Sequence, residues 1–199
     1  MTDPSYLTTP PTTDGAQRLY DDDLQTLGYV MNASRLWAHH PEVHDALFAL
    51  MGQVTAGQGL SLRQRGILVL ASASTLGDSY CSLAWGTKVA AAADPDLAAG
   101  VLAGSDEGLT GQERALARWA RLVAGDPSAT TPADVQVLRD AGFTDPQIFA
   151  ITTYAALRIA FSTINDALGA IPDAQIRSTA PAAVLEAVTY GRPIAESTG

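Results

Sequence analysis

The sequence predicts an all-α protein, a single helical bundle with an N-terminal arm and a short C-terminal helix. Two observations carry that expectation. First, Ser61-x-x-Gln64, Thr110-x-x-Glu113 and Thr144-x-x-Gln147 each set a hydroxyl three residues ahead of an amide or carboxylate. Such pairs satisfy the backbone N–H groups that the first turn of a helix leaves without partners. Second, apolar residues recur at spacings of three and four, and no segment alternates apolar with polar residues as a half-buried strand would.

In chain order, residues 1–15 are rich in Thr and Pro, lack periodicity, and read as an extended or disordered arm. Leu19, Leu24 and Leu27 mark a first short helix, Asn32 caps a second through Trp37, and Pro41 suits the first position of a third. In that third helix Val43, Leu47, Leu50 and Val54 make one apolar stripe. The boxes at Ser61, Thr110 and Thr144 open later helices, and a further one is expected from Ser79 to Ala93. Thr131-Pro132 opens another that Gly142 ends, and Gly169 ends the long helix from Asp145 to Leu168. Leu60-Ser61-x-x-Gln64-Arg65 and Leu109-Thr110-x-x-Glu113-Arg114 suggest an internal repeat. The helical domain spans 16–173, and 174–199 is an extension whose short helical pattern either embraces a neighbouring subunit or folds back.

Acidic residues outnumber basic ones 21 to 12, with no basic cluster to track phosphates, so nucleic acid is not an expected partner. The longest apolar stretch, 148–164, is interrupted by Arg158 and several Ser and Thr, which favours a buried core helix over a membrane span. The single cysteine, Cys81, permits no intramolecular disulfide, and residues 1–17 carry no signal-peptide pattern; both fit a reducing cytoplasm.

Arg158 is the most informative outlier, because nearly every neighbour in 148–161 is apolar or small and Tyr154 lies one turn earlier on its face. A guanidinium buried there should meet a carboxylate: Asp78, an acid of a partner subunit, or a substrate. His40 and His44 are one turn apart, but no acidic residue stands at metal-ligand spacing, so neither a metal nor any other cofactor is expected. His39 could enter a pocket as acid or base or serve at the surface, and Lys88 reads as a solvated helix residue.

The stretch from Ser61 to Cys81 resembles the core of the alkylhydroperoxidase D (AhpD)-like/carboxymuconolactone decarboxylase superfamily. The segments 36–43, 141–145 and 164–172 resemble its flanking helices in the same order, so the resemblance covers about Ala16 to Asp173. It implies an AhpD-like bundle that assembles into dimers, trimers or hexamers. The family pattern sets an acidic residue twelve positions ahead of Cys-x-x-Cys, with a His four positions after the second Cys. Here those positions hold Gly66, Asp78, Cys81 and Trp85, with Tyr80 before the cysteine as in many relatives. Only Cys81 matches.

Cys81 falls in the first turn of its helix, where the dipole favours thiolate, while Asp78 at the N-cap opposes it. It reads either as a nucleophile or as a small buried hydrophobe. Asp78 reads as a cap, as a general acid or base, or as both. Trp85 reads as core or as a stacking wall for a ring-bearing ligand. The leading expectation is a non-redox lyase or isomerase for a small cyclic or carboxylated metabolite. Asp78, Cys81 and His39 are its candidate catalytic groups, and Tyr80, Trp85, Tyr154 and Arg158 are candidate substrate contacts. The alternatives are a one-cysteine peroxidase using Cys81 and a non-catalytic binding or scaffold protein.

Overall fold

A computed structural model describes residues 5–196. In chain order it contains α1 (Asp14–Leu27), α2 (Asn32–Trp37), α3 (Pro41–Thr55), α4 (Leu62–Leu76), α5 (Ser79–Ala92) and α6 (Pro95–Leu102). There follow α7 (Gly111–Gly125), a 3-10 turn at Pro127–Ala129, α8 (Pro132–Asp140), α9 (Asp145–Ala167), α10 (Ile176–Thr179) and α11 (Ala182–Ala187). No strand occurs among the described residues. The fold is all-α, as the caps and periodicity predict.

The capping boxes at Ser61 and Thr110 close in both directions, and at Thr144 the Gln147 side chain accepts the Thr144 N–H at 3.0 Å. The two helices with similar starts are neighbours: Arg63 of α4 donates to Glu113 of α7 at 2.6 Å, while Gly125 at the end of α7 lies beside Thr75 near the end of α4. They therefore run parallel. α4 is the central element, buried continuously from Gly66 to Ala73 and packed on α5, α6, α7 and α9.

α4 and α5 form a tight antiparallel hairpin. Gly77 takes φ +74°, a left-handed value that side chains with a β-carbon resist, and the Asp78 N–H returns to the Ala73 carbonyl at 2.9 Å. That turn delivers the chain directly into the cap of α5. Their close approach depends on Gly66, where a β-carbon would lie 2.3 Å from Val89 Cγ2.

Two stripes differ from expectation. α1 is not short, because the Thr13 hydroxyl accepts the Ala16 N–H and starts the helix at Asp14; Ala16 and Leu19 face inward, while Leu24 and Leu27 are exposed. In α3 the inward side runs through Pro41, His44, Leu47 and Met51, which leaves Val43, Phe48 and Leu50 exposed. α3 packs on α1, α2 and α9, and Leu47 and Val54 are the positions common to the expected and observed stripes.

The C-terminal extension folds back on its own chain. α11 packs on α5 and α6, with fully buried Val184 seated over Gly86. The N-terminal arm is anchored by the Tyr6 N–H to the Leu168 carbonyl at 2.8 Å.

Candidate active site

The site forms where the start of α5 meets the middle of α9. Asp78 caps α5 by accepting the Cys81 N–H on Oδ1 at 2.9 Å, a contact that stabilises a helix by about 1 kcal/mol. Asp78 is 0% exposed, yet its Oδ2 is buried without a hydrogen-bond partner. A simple cap at the surface would leave that oxygen in water.

Cys81 turns its sulfur toward α9. Ser162 Oγ donates to Cys81 Sγ at 3.3 Å and Arg158 Nη2 donates at 3.7 Å. Both would stabilise a thiolate. Burial outweighs them, however, and together with the Asp78 carboxylate pushes the Cys81 thiol up to about 12. The sulfur is therefore a neutral thiol in this closed arrangement.

Arg158 does not meet Asp78. It is 5% exposed and forms no ion pair with any acid among the described residues. The guanidinium carbon instead sits 5.3 Å from the centre of the Trp85 ring and 5.0 Å from that of Phe161, and Nε has no partner. Cation–π contacts offset part of the desolvation cost, but removing an ion from water costs several kcal/mol.

Other cations gather nearby. Arg65 on α4 also buries an unpartnered Nε, and Lys88 lies 4.9 Å from the centre of the Trp85 ring. Burial raises the Tyr154 phenol, and the positive charges of Arg158 and Arg65 draw it back. Thus Asp78, Cys81, Trp85, Tyr154 and Arg158 come together as one cluster.

Two expected site residues lie outside it. Tyr80 faces α2 from the other side of α5: its hydroxyl donates to Asp173 at 2.6 Å and accepts the Ala33 N–H at 3.1 Å. With both hydrogen bonds made and its ring buried, Tyr80 is a tether between elements. His39 directs Nε2 to the Thr8 carbonyl at 3.0 Å and has no hydrogen bond to Asp78, Cys81 or Arg158. It holds the N-terminal arm.

The residues unanticipated from sequence are Arg65, Ser162, Asp166 and Arg192. Tyr154, Arg158, Ser162 and Asp166 follow one another at intervals of four along α9, a polar line along one side of the helix. Asp166 is raised to about 6, first by burial and then by Asp78, with Arg192 opposing. Arg192 Nη1 donates to Asp166 Oδ1 at 3.3 Å.

Comparison with solved structures decides the fold. An uncharacterized peroxidase-related protein from Silicibacter sp. TM1040 matches with a TM-score of 0.79 over 89% of this chain and 96% of its own, at 23% identity. An alkylhydroperoxidase AhpD core protein from Ralstonia eutropha JMP134, also described as an uncharacterized peroxidase-related protein, matches with a TM-score of 0.79 over 88% and 96%, at 22% identity. The chain has the AhpD-like fold. The debrominase Bmp8, as a cysteine-to-alanine variant in complex with 2,3,4-tribromopyrrole, matches with a TM-score of 0.70 over 92% and 97%, at 17% identity. No protein-family model and no curated protein matches the sequence.

On this AhpD-like frame, Gly66 is a close-packing position. Val89 fills the space a side chain at 66 would need, with Trp85 in contact beside it, at the position where the sequence resemblance expects an acidic residue.

Proposed function

We propose that the chain is a cofactor-free, non-redox enzyme acting on a small, ring-bearing, anionic metabolite. In this reading Arg158 binds the substrate's carboxylate, Trp85 stacks on its ring, and Asp78 moves a proton in a decarboxylation, isomerisation or related step. The observation that carries it is Arg158, a buried guanidinium with an unpartnered Nε and no carboxylate partner among the described residues. Such a charge is costly to keep unless an anion arrives to pair with it. Asp78 adds a second unpartnered buried atom, Oδ2, one helical turn from the sulfur that Arg158 approaches.

Bmp8 supports the ring-binding part, since a protein with this fold forms a complex with a small halogenated pyrrole. Thiol chemistry at Cys81 is the weaker reading, because the thiol is raised to about 12 and the chain has no second cysteine. We also propose that the chain self-associates, which would cover the exposed apolar residues Leu24, Leu27, Val43, Leu50 and Phe149.

Thermal shift with a series of small cyclic carboxylates, such as benzoate and 2-furoate, tests the reading. A saturable rise in Tm should appear for the wild type and vanish in Arg158→Met. If no compound shifts the wild type, or Arg158→Met responds equally, the assignment fails. With a turned-over substrate in hand, Asp78→Asn should bind it without converting it.

A further inference from the structure

The start of α5 is covered by the chain's own C-terminus. The Ser79 hydroxyl donates to the Arg192 carbonyl at 2.8 Å, and the Tyr190 hydroxyl lies 3.0 Å from Ser82 Oγ. Gly191 lies so close to the hairpin turn that a β-carbon there would stand 2.6 Å from the Gly77 carbonyl oxygen. Beyond it, the Arg192 guanidinium reaches across to α9, donating to Asp166 at 3.3 Å, and to the N-terminal arm, donating to the Tyr6 hydroxyl at 3.2 Å. The same guanidinium stacks over the Tyr6 ring at 5.4 Å.

We propose that residues 190–192 are a lid over the Asp78–Cys81 end of the site, latched by Arg192 to Asp166 on one side and Tyr6 on the other. The proposal rests on the reading that Asp78 and Cys81 line a functional site. Three features support a lid rather than a fixed part of the core. Its hydrogen bonds are all polar side-chain or carbonyl contacts, while the apolar residues that pack on the core, Val184 and Val188 before it and Ile194 after it, lie outside the segment. It spans the gap between α5 and α9, the two helices that supply the site's polar groups. Beneath it Asp78 keeps an unpartnered oxygen, which lid opening would expose to solvent or ligand. Local openings of this kind occur at free energies well below global unfolding when few buried contacts are broken.

The single cysteine makes the test direct, because any label on the chain's thiol reports Cys81. Native protein is treated with N-ethylmaleimide and followed by intact mass, with global stability measured in parallel by urea unfolding. Arg192→Ala and Gly191→Ala should each speed labelling by about tenfold or more with little change in the urea midpoint, as release of a local latch requires. Leu138→Ala, in the buried part of α8, serves as the control that lowers global stability without touching the lid. Labelling unchanged in both lid variants, or accelerated only in proportion to lost global stability as in Leu138→Ala, overturns the lid. Because this readout needs no substrate, the lid can stand if the carboxylate test at Arg158 fails, and it can fail if that test succeeds.

Discussion

Arg158 Nη2 stands 3.7 Å from the Cys81 sulfur, so the buried cation faces a thiol where a carboxylate would neutralise it. This pairing leaves the charge largely uncompensated, and substitution should reveal the cost. Arg158→Met keeps the length and apolar stem of the side chain while removing the charge. It should leave stability unchanged or raise it by roughly 1 kcal/mol or more, as replacements of buried charges by apolar residues do. Urea unfolding measures this. A loss of several kcal/mol would mean that the guanidinium already has a structural partner.

Gly66→Glu places a carboxylate where the sequence resemblance expects one, but it should not be accommodated. Its β-carbon would collide with Val89, and overpacking of this kind costs ~1–3 kcal/mol before the charge is considered. Val89→Ala opens the space, so the double variant should lose less stability than the two single effects summed. A double-mutant cycle in urea gives the coupling, and simple additivity would contradict the steric account.

Tyr80→Phe removes a hydroxyl that serves both Asp173 and the Ala33 N–H. Leaving such buried groups unsatisfied should cost about 1–3 kcal/mol. Ligand-induced thermal shifts should stay as in the wild type, since Tyr80 is a tether. A selective loss of ligand response at unchanged stability would return Tyr80 to the site.

The pH dependence of stability should carry the mark of Asp166. Its carboxyl is raised from 3.8 to about 6, so the folded state holds the proton more tightly than the unfolded chain. The resulting stabilisation is fully present below 3.8 and is lost as the pH rises through 6. The Tm of the wild type relative to Asp166→Asn should therefore fall between these limits and level off above them. A difference that rises with pH over that interval would show the opposite shift.

Features that depend on near neighbours in sequence were readable without coordinates. The Ser61, Thr110 and Thr144 boxes act within a single turn, and each sits at a helix start. Arg158 stood out for a local reason too, as a charge among apolar residues. Its surroundings did not, because they depend on how α5 lies on α9: Cys81 is 77 residues away in sequence. Ser162 and Asp166 continue the spacing of Tyr154 and Arg158, but Ser and Asp on a helix are usually solvated, so the line carried no distinct signal. In α3, apolar residues occur on more than one side, and periodicity alone does not say which side meets α9. Tyr80 and His39 adjoin motif positions in sequence, but helix geometry turns Tyr80 to the opposite face and the Thr8 carbonyl holds His39 against the arm.

The interlock of Gly66 with Val89 also constrains how this sequence can change over time. A carboxylate gained first at 66 would arrive in a space already filled, whereas shrinking residue 89 first would leave a void that selection for stability disfavours. Each order of substitution passes through a handicapped intermediate, so an acidic residue at 66 is uphill from either side.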